Sequence, residues 1–256
     1  MPSEPPPIPR VIPCLLIEDE VMVKTIRYAD PTYLGDPINV INLFNRFEVD
    51  EITLLDIGAT RAGVPPPIEL LEQLAAECWV PLAYGGGIRS LEHVRSVLGC
   101  GIEKVVLGTI VADQPALITQ AAEVYGSQAV VVSVDARQRG DGYEVAVAST
   151  TRGLGIGPVD YAQRAQQLGA GEILLNAVDR DGTMEGYDIG LIGAVAEAVE
   201  IPVIACGGAG ERAHLANAIR AGASAVAAGS IFVYRGRERG VLINFPERAQ
   251  LEAMLG

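Results

Sequence analysis

The sequence predicts a single (β/α)₈ barrel assembled from two pseudo-symmetric halves. Three observations carry that expectation. The chain has 256 residues, close to the roughly 250 typical of one such barrel. Eight short apolar runs alternate with amphipathic stretches along its whole length, and the second half of the chain repeats the first.

The runs fall at 11–17, 52–57, 80–84, 104–108, 129–134, 172–176, 202–206 and 225–228. They are apolar nearly throughout rather than alternating, the pattern of parallel strands covered on both faces. Between them, segments such as PPPIELLEQLAAECW at 65–79 show helical periodicity with proline near the start, where a missing N–H costs nothing. The segment 137–157 is different. It is rich in glycine and polar residues, holds the alternating run Tyr143–Val147, and predicts a rim loop with a small hairpin. Residues 1–9, with Pro2, Pro5, Pro6, Pro7 and Pro9, are expected to be a flexible leader, and 10–256 the barrel.

The repeat is explicit. An offset of 121 aligns Val80–Thr109 with Ile201–Ser230, matching Gly86 and Gly87 to Gly207 and Gly208, His93 to His214 and Thr109 to Ser230. Leu54-Leu55-Asp56 matches Leu174-Leu175-Asn176 at offset 120, and the strand entering Leu16 matches the strand entering Asp135 at 119. Near-constant offsets predict two half-barrels of four βα units each. No linker divides the middle of the chain, so one domain is expected.

Composition excludes several function classes. A hydrophobic fraction of 49% supplies a core, and a formal net charge of -13 argues against nucleic acid, which needs a basic stripe. Four cysteines at 14, 78, 100 and 206 form no CxxC pair, and only His93 and His214 are present. No metal site or disulfide framework is expected, and no motif calls for a cofactor. No apolar stretch of about 18 residues suggests a membrane span, and no signal-peptide pattern opens the chain. A cytoplasmic location follows as the expectation.

Function in such barrels sits where strands end and loops begin. Each half has a glycine-rich strand end, Gly85-Gly86-Gly87 and Gly207-Gly208-Ala209-Gly210. At the next strand end each has a small residue and a hydroxyl, Gly108-Thr109 and Gly229-Ser230. Glycine lets an oxyanion reach the backbone, and helix N-termini supply oriented N–H donors. Two such sites on opposite sides of one rim suit a phosphorylated small molecule with an anionic group at each end. Of the acids near strand ends, Asp135 directly follows the apolar run AVVVSV and is the preferred catalytic residue. For Asp56 and Asp179 a capping role competes with acid–base chemistry, and Asp181, just before Gly182-Thr183, fits capping or phosphate positioning equally well. At the opposite mouth, Arg10, Glu51, Lys104 and Glu172 sit at or just before strand starts, which fits either a charged ring or ordinary flanking charge.

With these positions fixed, the chain resembles the cyclase subunit of imidazole glycerol phosphate synthase (HisF). The likeness runs over essentially everything after the leader and is most specific in YGGGI (Tyr84–Ile88), YGSQAVVVSVD (Tyr125–Asp135), GAGEILL (Gly169–Leu175), DRDGTMEGYD (Asp179–Asp188) and GGAG (Gly207–Gly210). The resemblance implies that ammonia from a HisH-like glutaminase partner enters at the N-terminal face and crosses to a substrate at the rim. It implies phosphate roles for Gly87, Thr109, Asp181, Gly182, Gly208, Gly229 and Ser230, and makes Arg10, Glu51, Lys104 and Glu172 the ammonia gate.

One departure bears on mechanism. The family uses two catalytic aspartates, one per half. The second is Asp135; the position of the first is Leu16, in Pro13-Cys14-Leu15-Leu16-Ile17, and leucine transfers no proton. Glu18 and Asp19 lie two and three residues on, where a side chain points elsewhere or belongs to the loop. A threonine typical of the family before the DRDGT loop is Asn176.

That combination resembles a divergent branch, the acetamidino-modification proteins of bacterial surface-sugar pathways. The matching segments are IPCLL (Ile12–Leu16), VKT (Val23–Thr25), GDPIN (Gly35–Asn39), FNRFEVDEI (Phe44–Ile52), LDIGAT (Leu55–Thr60) and GSIFVYRGRERGVLIN (Gly229–Asn244). The branch implies a glutaminase and an ATP-dependent amidotransferase as partners, and an acetamidino group on a nucleotide-linked sugar as product. The alternatives are a true cyclase of histidine biosynthesis and a non-catalytic scaffold that activates the glutaminase.

Overall fold

The computed structural model describes residues 8–236 and 238–256. Most of the expected leader, residues 1–7, lies outside them, while Ile8 packs against the core. Eight strands form the barrel: β1 (Arg10–Glu18), β2 (Ile52–Asp56), β3 (Leu82–Gly85), β4 (Lys104–Leu107), β5 (Val130–Arg139), β6 (Glu172–Ala177), β7 (Val203–Cys206) and β8 (Ala225–Ala228). Each pairs in parallel with the next, and β8 pairs with β1, so the sheet is closed. Every predicted run is a strand. Two begin later than predicted, at Leu82 and Val203, because Pro81 and Pro202 have no N–H for the ladder. The helix predicted at 65–79 spans Ile68–Glu77, after the three prolines.

Two strands run past their predicted ends into hairpins. β1 continues to Glu18 and turns into an antiparallel hairpin of Val21–Ile26 and Ala29–Gly35. β5 continues through Asp135 to Arg139 and pairs with Gly142–Val147, which pairs in turn with Arg152–Gly153. The second hairpin was legible in its alternating arm. The first was not, because its outer arm, ADPTYLG, is largely exposed and carries no apolar alternation. Each half therefore sends out a hairpin directly after its first strand.

Strand alternation divides the side chains into two sets. On β1, Val11, Leu15 and Ile17 join the large core beneath the helices, whereas Ile12 and Cys14 face the barrel interior. Ala83, Val106, Val131, Leu174, Ile204, Cys206, Ala225 and Ala227 complete that inner cluster. One face of β6 thus reads Glu172, Leu174, Asn176: a charge at the bottom, an apolar layer in the middle, a polar group at the top. Among the described residues no helix is long and apolar enough to cross a membrane, and no cluster could hold a metal. Cys14 and Cys206 are buried, and Cys78 and Cys100 half-buried, all as free thiols.

Candidate functional site

At the N-terminal mouth the four charged residues close into a ring. Arg10 reaches Glu51 at 2.5 Å and Glu172 at 2.6 Å, while Lys104 reaches the same two carboxylates at 2.8 and 3.1 Å. Each cation bridges both anions. Arg10, Lys104 and Glu172 open their strands and Glu51 stands one residue before its own, all in phase with the inward-facing rows, so strand alternation turns all four toward the axis. Burial weakens the Arg10 charge, but Glu172 and Glu51 outweigh it and hold the guanidinium pKa above its ordinary value. Glu51 is nearly inaccessible, and its Oε1 has no partner among the described residues.

At the opposite end one cleft is lined by Gly87, Thr109, Asp135, Asp181, Gly182, Gly208, Gly229 and Ser230. The structure thus brings every expected rim residue together. Two glycines are required by geometry. Gly87 has φ +65° and a Cβ there would sit 2.7 Å from the Val64 carbonyl oxygen; at Gly208, φ +108°, it would sit 2.2 Å from that of Gly186. No L side chain fits either place.

The two hydroxyls are not equivalent. Thr109 Oγ1 accepts the backbone N–H of Ala148, at 2.9 Å, from the tip of the second hairpin. Ser230 Oγ is buried in the cleft wall with no partner among the described residues. A buried hydroxyl without a partner costs on the order of 1–3 kcal/mol, which a ligand would relieve.

Asp135 lies within β5 rather than at its end, its side chain on the inward row with Val131 and Ser133. Its Oδ1 accepts the Tyr28 hydroxyl at 2.8 Å and the Ser133 hydroxyl at 3.3 Å. Burial pushes the carboxyl up to about 6, against the pull of Tyr28, Ser133 and Asn176. A carboxyl with that value can exchange protons near neutrality. Leu16, its counterpart in the first half, lines the same cleft and is apolar. Glu18 sits at the end of β1 and pairs with Arg61. Asp19 has φ +50°, in the turn beyond.

Asp181 stands in the cleft, yet both its carboxylate oxygens are engaged: Lys24 Nζ is 3.2 Å from one and Thr25 Oγ1 3.3 Å from the other. The other acids and the histidines are structural. Asp56 Oδ1 caps the backbone of Gly58 and Ala59, and Asp179 accepts from the Gln138 N–H. His93 and His214 stay at helix starts; His214 Nδ1 accepts from the N–H of Gly210 at 3.2 Å. Reasoning from sequence assigned no role to Lys24, Thr25 and Tyr28, which line the cleft from the first hairpin. Only a lysine inside the buried run VMVKT hinted at it.

Comparison with known proteins finds relatives along nearly the whole chain. The family model described as histidine biosynthesis protein matches residues 10–238. A Pseudomonas aeruginosa protein, provisionally named imidazole glycerol phosphate synthase subunit hisF2, is 46% identical over 245 residues, covering 95% of this chain and 98% of its own. Imidazole glycerol phosphate synthase subunit HisF of Metallosphaera sedula is 42% identical over 224 residues, 87% of this chain and 89% of its own. The subunit HisF of Streptomyces coelicolor matches with the same identity and coverage.

Proposed function

The chain belongs to the histidine biosynthesis protein family, as a HisF-like barrel, and on that premise we propose that it is the ammonia-receiving subunit of a glutamine-dependent amidotransferase system. A HisH-like glutaminase docks at the mouth ringed by Arg10, Glu51, Lys104 and Glu172. Ammonia crosses the apolar interior past Ile12, Leu174 and Cys14 and emerges at the rim, where Gly87, Thr109, Gly182, Gly208, Gly229 and Ser230 hold a phosphorylated ligand and Asp135 is the catalytic acid–base group. Asp181 supports the phosphate region through Lys24. The delivered ammonia serves acetamidino-group formation on a nucleotide-linked sugar of a bacterial surface polysaccharide, together with an ATP-dependent amidotransferase, in the cytoplasm.

The observation that carries this reading is the pairing of a complete charged ring at one end with an incomplete acid pair at the other. Four charges facing one axis are arranged for passage, while Leu16 leaves the rim without the second carboxylate that cyclisation uses in the family. Ammonia, being neutral, meets no charge between the ring and the bowl.

A second reading has support of its own. Relatives of 42% identity are named imidazole glycerol phosphate synthase subunits, and Asp135 titrates where a general acid–base group should. On that reading the chain is a cyclase of histidine biosynthesis. The experiment that separates them mixes the barrel with a HisH-like glutaminase and measures glutamine hydrolysis and turnover of the histidine-pathway substrate. Stimulated glutaminase without cyclisation is expected; robust cyclisation by the unmodified protein favours the second reading. A barrel that only stimulates, with no ammonia transfer to any acceptor, is the scaffold alternative.

A further inference from the structure

The tip of the first hairpin carries backbone that its residues do not favour. Ile26 pairs with Ala29, so Arg27 and Tyr28 form a two-residue turn, and both have positive φ, 51° and 63°. Turns with two left-handed central residues belong to Asn-Gly and Gly-Gly, because an L side chain there is strained. Neither arginine nor tyrosine is suited to the turn itself. Both are suited to what lies beyond it.

The Tyr28 hydroxyl donates to Asp135 Oδ1 at 2.8 Å and accepts from Asn176 Nδ2 at 2.5 Å. The Arg27 backbone N–H donates to the Asp181 carbonyl at 2.9 Å, and its Nε to that of Asp179 at 2.9 Å. Lys24 and Thr25, on the same arm, hold the Asp181 carboxylate. A hairpin from the first half is thus moored to the second half by side chains and backbone at six points, and these contacts offset the strain at its tip. The phenol thus meets Asp135 in the cleft that Leu16, the counterpart of Asp135 on β1, also lines without offering a polar group.

We propose that Tyr28 is the positioning residue of the rim, taking over from the missing first-strand carboxylate as the partner that orients Asp135 and keeps its charged form available. The proposal rests on reading the rim as the working end of the barrel. The phenol suits this task. Burial, then the negative charge of Asp135, pushes its own pKa far above the ordinary value, so it remains a donor at every working pH. Asn176, by donating to the phenol oxygen, fixes the direction in which the phenol proton points. Asp135 faces Tyr28 from the hairpin, Ser133 on its own strand, Asn176 on β6 and the Asp181 carboxylate in the loop beyond. Of these only Asp181 bears a charge, and Lys24 pairs with it.

The test follows the Asp135 carboxyl by carbon NMR through a pH titration of the isolated barrel, with Asp135→Asn identifying the resonance. Tyr28→Phe removes one hydroxyl and keeps the ring, and the Asp135 midpoint should rise by about one unit, the effect of losing one donor to a charged acceptor. Fluorinated tyrosine at position 28, a stronger donor, should move it the other way. A folded Tyr28→Phe barrel with an unchanged midpoint overturns the proposal, as does a fluorotyrosine shift in the same direction as the phenylalanine. Neither measurement involves the glutaminase or a sugar, so loss of the broader functional reading would leave this result standing, and the reverse.

Discussion

The two halves of the barrel are built alike and equipped differently. Both send a hairpin out after the first strand, and each hairpin tip lands on the other half: Tyr28 on Asp135, and Ala148 on Thr109. On its opening strand the first half carries Leu16 where the second, at the matching place, presents Asp135. The first half's hydroxyl, Thr109, is already satisfied, and the second half's, Ser230, is not. At the mouth the division is reversed. The repeat duplicates the anion, Glu51 and Glu172, whereas both cations, Arg10 and Lys104, come from the first half. The scaffold is symmetric and its rim is not: the buried carboxyl of Asp135 and the Ser230 hydroxyl without a partner among the described residues lie in the second half, and the hairpin that meets Asp135 comes from the first.

The largest expected effect comes from restoring the symmetry. Losing one member of an acid–base pair typically removes about 10²–10⁴-fold in rate, so the unmodified protein should turn over the histidine-pathway substrate with ammonium barely or not at all. Leu16→Asp should raise that turnover measurably if the rim accepts the substrate, and adding Asp135→Asn should abolish the gain. A Leu16→Asp protein whose activity survives loss of Asp135 would remove the basis for treating these two positions as counterparts.

A smaller effect concerns stability. The Asp135 carboxyl titrates at about 6 in the fold, against about 3.9 unfolded. A raised acid binds its proton more tightly when folded, so its contribution is most favourable below about pH 4 and is lost as pH rises through 6. Asp135→Asn should therefore leave urea stability nearly unchanged at pH 4 and raise it at pH 8, by roughly 1–3 kcal/mol once partial solvent access is discounted. An equal change at both pH values would show that burial of this carboxyl is not the cause.

The smallest effect separates the two hydroxyls. Ser230→Ala removes a hydroxyl that has no partner among the described residues, so inorganic phosphate binding, followed by calorimetry or chemical-shift titration, should weaken about fivefold, the equivalent of roughly 1 kcal/mol. Thr109→Val should weaken it less, since Thr109 is engaged by Ala148, and should instead loosen the second hairpin. The opposite ranking would mean that the tip at Ala148 moves aside for the ligand.

Much of the fold was legible along the chain. Apolar runs mark every barrel strand because a strand buried on both faces must be apolar throughout. The four mouth residues each stand at or just before the first position of a strand, which left a charged ring and ordinary flanking charge both open until the family resemblance pointed to the ring. The glycine-rich ends announced themselves in both copies. Legibility stopped at the first hairpin. Lys24 looked like a stray charge in an apolar arm, and Arg27-Tyr28 does not resemble a turn, because its left-handed backbone is held by contacts with the other half.

By itself, then, the sequence determined the barrel and its division into halves through residue type and local spacing, while the charged mouth and the missing acid at Leu16 came from the family resemblance that its motifs carry. Only the tertiary structure decided that Tyr28 meets Asp135 across 107 residues of chain, that Thr109 is occupied while Ser230 is free, and that Asp181 serves Lys24. Those outcomes depend on where two strained turn tips come to rest. A turn tip is placed by the path of the whole hairpin over the bowl, and no local pattern of side chains records that path.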